Sequence, residues 1–122
     1  MILNQKEDQI SKHPSVIHRI SVRNKILQNT NQGPLFSWID LNLTELCNRT
    51  CNFCPRGQKY ENNNYHMSKD TINNIKIQLE KLEFCGVINI CGNSEPLLAK
   101  NLYFSIKSLN KFHIEIVTNG DK

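Results

Sequence analysis

From residue 36 onwards the apolar positions switch between two periods. Phe36-Ser37-Trp38-Ile39-Asp40-Leu41-Asn42-Leu43 alternates large apolar and small polar residues over its second half, the pattern of a half-buried strand. A polar loop bearing cysteines follows over residues 44–67. Ile72, Ile75, Leu79 and Leu82 then recur along one face of a helix, with Ser68 or Asp70 placed to cap its amino end and Gly86 as the expected stop. Val87-Ile88-Asn89-Ile90-Cys91 is a short buried strand, and Gly92-Asn93-Ser94-Glu95 is a turn. Pro96 suits the first turn of a helix whose stripe is Leu98, Leu102, Ile106 and Leu109. His113-Ile114-Glu115-Ile116-Val117 makes a third strand, and Thr118-Asn119-Gly120 turns, with Gly120 serving a left-handed conformation.

Before this run, Val16, Ile17, Ile20, Ile26 and Leu27 predict a short amphipathic helix over residues 15–28, and Asn29-Thr30-Asn31-Gln32-Gly33-Pro34 is a turn-rich break. The chain therefore divides into an amino-terminal helical and linker segment, 1–34, and an α/β unit, 35–122. Strands separated by single helices imply parallel pairing with right-handed crossovers. At about 31 residues per βα unit, the value for a (β/α)₈ barrel, residues 35–122 hold just under three units. The sheet would end on an unpaired edge, so the chain reads as the amino-terminal part of a longer protein.

Hydrophobic residues make up 39% and charged residues 21%, which suits a packed core rather than disorder. The net charge of +4 comes mostly from scattered lysines, and without a basic block no nucleic-acid partner is expected. No apolar run is long enough to span a membrane, and the first eight residues lack the core of a secretory signal. The expected location is the cytoplasm, where thiols stay reduced. Five cysteines in that setting point to metal or redox chemistry rather than disulfides.

Cys47-Asn48-Arg49-Thr50-Cys51-Asn52-Phe53-Cys54 is a C-x₃-C-x₂-C run just past the first strand. Three thiolates this close can converge on one inorganic centre, and their softness selects iron–sulfur clusters, zinc or copper(I). A structural zinc site needs a fourth protein ligand, for which His66, Cys85 or Cys91 are the candidates. A [4Fe–4S] cluster held by three cysteines leaves one iron open for chemistry.

This run, with Asn42-Leu43-Thr44 before it, resembles the cluster motif of the radical S-adenosylmethionine enzymes. Cys91-Gly92-Asn93-Ser94-Glu95-Pro96-Leu97 after the second strand and Val117-Thr118-Asn119-Gly120 after the third follow the same family's progression. The resemblance implies the first three units of a partial (β/α)₆ barrel. It implies that Cys47, Cys51 and Cys54 ligate a [4Fe–4S] cluster whose fourth iron is chelated by S-adenosylmethionine. Phe53 would sit beside the adenine. The family's Gly-Gly-Glu segment corresponds to Asn93-Ser94-Glu95, preceded by Gly92; both glycines of the triplet are replaced and the acid is kept. Asn119 would lie at the rim. The implied reaction is reductive cleavage to a 5′-deoxyadenosyl radical that takes hydrogen from a substrate C–H bond. The implied partners are a flavodoxin or ferredoxin as reductant and a peptide or sugar-like metabolite as substrate.

Plainer readings stand beside these. A zinc- or iron–sulfur-binding module without catalysis, an inactive fragment, or a ferredoxin-type carrier would use the same cysteines, although carriers usually supply four. Glu95 can cap the helix opening at Pro96, and Arg56 can reach a cofactor carboxylate or lie in solvent. Cys85 and Cys91 read as small buried hydrophobes. His13, His18, His66 and His113 are given no catalytic role.

Overall fold

The structure, a computed structural model, describes residues 12–28, 36–58 and 61–121. In chain order these form α1 (Pro14–Gln28), β1 (Trp38–Leu41), a 3₁₀ turn (Pro55–Gln58), α2 (Lys69–Lys81), β2 (Val87–Ile90), a second 3₁₀ turn (Pro96–Leu98), α3 (Leu102–Ser108) and β3 (His113–Ile116). The strands make one parallel sheet in the order β1-β2-β3. Trp38 pairs with Val87 and that with His113; Asp40 pairs with Asn89 and that with Glu115. The α/β class and the parallel order are as the sequence predicts. The break at residues 29–34 and the boundary after it lie outside the described residues.

Alternation along the strands gives the sheet two different faces. Ile39, Leu41, Ile88, Ile90 and Ile114 join Ile72 and Leu79 of α2, Leu109 and Phe84 in one core. Ile72, Ile88, Ile90 and Leu109 are fully buried, and each such side chain contributes about 1.5–3 kcal/mol. All four residues of β2 are buried, as befits the central strand of a parallel sheet. On the other face stand Trp38, Asp40, Asn89, His113 and Glu115.

The pattern of α2 holds through Ile72 and Leu79, and of the two candidate caps it is Ser68 whose hydroxyl oxygen accepts from the Thr71 N–H, at 3.1 Å. Its end differs from expectation. The helix stops at Lys81, Glu83 takes the left-handed residue with φ of 50°, and Leu82 is left 45% exposed. Gly86 serves the entry to β2 instead, since a Cβ there would lie 2.4 Å from the Ser37 carbonyl oxygen and from the Phe84 ring. Its bare backbone lets the chain pass beneath Phe84 into the strand.

Three further expectations are corrected. Ile17 and Ile20 of α1 are exposed, whereas Val22 is buried, because α1 meets the sheet through the polar Ser15, His18 and Arg19. The side chains of Ile26 and Leu27 lie outside the described residues. The apolar stripe after Pro96 is split between a 3₁₀ turn and α3; Ile106 is exposed and Ser105 takes the buried place, its hydroxyl donating to the Asn101 carbonyl at 2.8 Å. β1 is shorter than residues 36–43 because its ladder partners are only the four residues of β2, although Leu43 beyond it is still buried.

Candidate functional site

The loops that leave β1, β2 and β3 meet at the carboxyl ends of the strands, where open α/β sheets place their ligands. The first is closed at its base by an antiparallel bridge between Thr44 and His66, with the Thr44 hydroxyl donating to the Tyr65 carbonyl at 2.9 Å. At the top, the Cys47 N–H donates to Asn62 Oδ1 at 2.9 Å while Asn62 Nδ2 donates back to the Cys47 carbonyl at 3.2 Å. The Cys54 N–H reaches the Cys51 carbonyl at 3.0 Å and the Gly57 N–H the Cys54 carbonyl at 2.9 Å, turning the chain into the 3₁₀ segment. Cys47, Cys51 and Cys54 are half-buried free thiols on this one loop. Among the described residues no three His, Cys, Asp or Glu side chains stand close enough to grip a single metal ion. As a donor set, three soft thiols on one pinned loop suit a cluster. Phe53 between them is 93% exposed, an aromatic ring without a protein lid.

Arg56 is not solvated, contrary to one of its two sequence readings. It is 5% exposed, and its guanidinium donates to the carbonyls of Glu45 and Asn93 and, at 3.1 Å, to Asn62 Oδ1. A planar fork with five donors can serve several acceptors at once. Arg56 thereby fastens the cysteine loop to the turn after β2. The only sequence signal for this was its position two residues after Cys54.

The turn after β2 is held just as closely. Gly92 has φ of 142°, and a Cβ there would lie 2.7 Å from the Asn42 side chain. Ser94 donates from its hydroxyl to Asn42 Oδ1 at 2.6 Å, and the Glu95 N–H reaches the Leu46 carbonyl at 2.8 Å. Asn93 is exposed, with its backbone carbonyl on Arg56.

Glu95 is 1% exposed, and its carboxylate is fully engaged. Oε1 accepts from the Leu97 N–H at 3.0 Å and from the Thr118 hydroxyl at 2.5 Å; Oε2 accepts from the Asn119 N–H at 2.8 Å. Burial alone raises this carboxyl, but Thr118, Asn119 and Leu97 together outweigh it and hold it below the usual value. The cap expected at Pro96 is thus present, and the same side chain ties the third loop. Asn119 in turn donates from Nδ2 to Asn48 Oδ1 at 2.9 Å, and Asn48 donates to the Asp121 carbonyl at 3.0 Å. The residues singled out in the sequence therefore come together around one rim: Cys47 to Cys54, Gly92 to Glu95, and Asn119. The roles of Thr118, Asn48 and Asn62 are not legible in the sequence, because a polar loop residue carries no periodicity to show which partner it finds.

The other cysteines and histidines stand apart. Cys85 is exposed rather than buried, since Phe84 takes the inward place after the Glu83 turn. Cys91 is half-buried and polar in its contacts: Asn89 donates to its sulfur at 2.9 Å and the thiol donates to Asp40 Oδ1 at 3.3 Å. Burial first, then the hydrogen bond to Asp40 and its negative charge, push the Cys91 thiol up to about 11 against the pull of Asn89. His66 has its ring nitrogens against Asn64 and the Lys100 N–H at the loop's base. Among the described residues no helix is long and apolar enough to cross a membrane.

No family model matches the chain. A curated relative, the S-adenosyl-L-methionine-dependent 2-deoxy-scyllo-inosamine dehydrogenase of Niallia circulans, is 33% identical over 91 residues, which are 71% of this chain and 36% of the relative. The crystal structure of BtrN in complex with AdoMet and 2-DOIA superposes with a TM-score of 0.67 at 32% identity, covering 74% of this chain and 38% of that one. Selenomethionine BtrN in an open conformation gives 0.64 at 33% identity, covering 72% and 41%. The chain is thus similar to an enzyme that depends on S-adenosylmethionine, the cofactor that the family resemblance implies. It spans a little over a third of that relative's length.

Proposed function

We propose that this chain is the amino-terminal part of the core domain of a radical S-adenosylmethionine enzyme, with Cys47, Cys51 and Cys54 as ligands of a [4Fe–4S] cluster. The observation that carries this reading is the three-thiol loop at the carboxyl end of β1, cross-tied to the loops after β2 and β3, in a chain 33% identical over 91 residues to an S-adenosylmethionine-dependent dehydrogenase. When bound, the reduced cluster and S-adenosylmethionine supply a 5′-deoxyadenosyl radical that takes hydrogen from a substrate C–H bond.

The chain's own residues bind and orient. Asn62 and Arg56 hold the ends of the cysteine loop, so the thiols are presented from a fixed backbone. Phe53 offers an uncovered aromatic face for the adenine. The turn from Gly92 to Glu95 offers backbone groups to the cofactor's amino group, Gly92 letting the turn pack against Asn42 and the Glu95 carboxylate fixing it from behind. Asn119 stands at the rim. The substrate is a sugar-like metabolite, an aminocyclitol by analogy with the relative, and the electron comes from a flavodoxin or ferredoxin.

The test is anaerobic reconstitution with iron and sulfide. The chain is expected to bind four irons per polypeptide with a broad brown absorbance, and S-adenosylmethionine is expected to perturb the reduced cluster's spin-resonance signal. Cys47→Ala, Cys51→Ala and Cys54→Ala should each abolish the cluster, and Cys85→Ala should spare it. Equal iron loss from the Cys85 variant, or zinc held in place of iron by the parent, sinks the reading.

A further inference from the structure

The sheet face turned away from the core carries a polar row that the cofactor reading does not use. Asp40, Asn89 and Glu115 face one another across the three strands in register. Asn89 is buried, and its amide nitrogen donates to Asp40 Oδ1 at 2.8 Å; its side-chain oxygen Oδ1 is buried without a hydrogen-bond partner among the described residues. Trp38 donates from Nε1 to the same Asp40 oxygen at 2.7 Å, which fixes the indole on this face.

One group of the chain already sits here. The Arg19 guanidinium of α1 lies 3.9 Å from the centre of the Trp38 ring, and its Nη2 is 2.6 Å from Glu115 Oε2. Ser15 donates to Glu115 Oε1 at 2.9 Å, and His113 Nε2 lies 3.5 Å from that oxygen. An aromatic face plus a carboxylate is the chemistry that recognises organic cations. Val22 of α1 is buried while Ile17 and Ile20 face solvent, and the helix's described contacts with this face through Ser15, His18 and Arg19 are polar or ring contacts. The Arg19 side chain itself is 43% exposed, so it can swing off the face without the helix leaving it.

We propose that Trp38 and Glu115, with Asn89 Oδ1 beside them, form a cation-accepting pocket whose ligand is the ammonium group of an aminocyclitol, and that Arg19 is the internal cation this ligand displaces. The amine class rests on the functional reading above; the pocket rests on the geometry. Glu115 lies three residues before Thr118, about 10 Å along the strand direction, below the loops assigned to the cofactor. Its carboxyl is raised by burial, but Arg19 and Ser15 outweigh this, so it remains an anion ready for a cationic partner.

Trp38 is the single tryptophan, so its fluorescence reports on the pocket directly. The chain and its Arg19→Gln and Arg19→Lys variants are titrated with 2-deoxy-scyllo-inosamine and with scyllo-inositol, which lacks the amine. Expected is a saturable change with the amine alone, roughly tenfold tighter in Arg19→Gln, where the internal competitor is gone, and near the parent value in Arg19→Lys. Glu115→Gln in the Arg19→Gln background should lose the preference for the amine. Equal binding of the two cyclitols, tighter binding in neither Arg19 variant, or an amine preference that survives Glu115→Gln overturns the pocket. Cluster content is measured on the same preparations. A cluster without amine binding overturns this inference alone; amine binding without a cluster overturns the functional reading alone.

Discussion

The backbone N–H of Asn119 donates to the Glu95 carboxylate at 2.8 Å, joining the loop after β3 to the turn after β2. Three donors share this one buried carboxylate, so it acts as a tie between loops that have no ladder between them. Hydrogen bonds to a charged group contribute about 1.5–3 kcal/mol each, and losing the acceptor leaves three part-buried donors without it. Glu95→Ala is therefore expected to cost about 3 kcal/mol and to lower the thermal midpoint by roughly 15 °C for a domain of this size. A midpoint within a few degrees of the parent removes Glu95 from the frame of the site.

Acid should loosen the same frame. Glu95, Glu115 and Asp40 all have carboxyls held below their ordinary values of 4.5, 4.5 and 3.8. For Glu95 and Glu115 burial opposes the shift and hydrogen bonds outweigh it; for Asp40 the Asn89 amide is the largest cause. A depressed folded-state value means stability that is present above the unfolded value and lost as pH falls through the folded one. The urea midpoint should be level from neutrality to about pH 5 and decline below about pH 4. Glu95→Gln should flatten part of that decline, and a midpoint that rises on acidification contradicts the assignment.

The two cysteines outside the loop should differ in reactivity. Cys85 is exposed, whereas Cys91 has a thiol raised to about 11 by burial and by Asp40. The thiolate is the reactive form, so iodoacetamide at pH 8 should label Cys85 quickly and Cys91 slowly. Asp40→Asn removes the charge and speeds Cys91 severalfold. Peptide mass mapping over time reads both, and equal rates in parent and variant refute the role of Asp40.

Much of this architecture was legible because it repeats. Alternation in residues 87–91 and the spacing of Ile72 and Leu79 report burial on one face, and the parallel order follows from strands separated by helices. The cysteine spacing, Gly92 and Glu95 marked the rim for the same reason: their chemistry is local. What periodicity could not show was which partner each polar side chain finds. Arg56 reads equally well as solvated or buried until Glu45 and Asn93 are known to converge on it. The register that sets Asp40 beside Asn89 and Glu115 depends on pairing between segments some 25 to 50 residues apart. Helix α1 forms where its spacing predicts, but Ile17 and Ile20 of its expected stripe are exposed, and its described contacts with the sheet run through Ser15, His18 and Arg19.

Arg56 gives the sharpest test of how the cysteine loop and the turn after β2 are coupled. Its buried guanidinium serves two backbone carbonyls and Asn62 together, and Asn62 in turn clamps Cys47 on both sides of its peptide. Removing the cation leaves these part-buried acceptors without their shared donor, at a cost of about 1–3 kcal/mol for each that water cannot reach. Arg56→Met should thus destabilise the chain by about 3 kcal/mol. Arg56→Lys keeps the charge but not the planar fork, so it should recover less than half of that loss. Because all three thiols remain, iron and sulfide content should stay near the parent's in Arg56→Lys. Freed from Arg56, the Asn93 turn should bind S-adenosylmethionine at least tenfold more weakly, measured by the spin-resonance titration. Parent-like affinity and stability in Arg56→Lys would mean that charge alone suffices and that the fork does not set the turn.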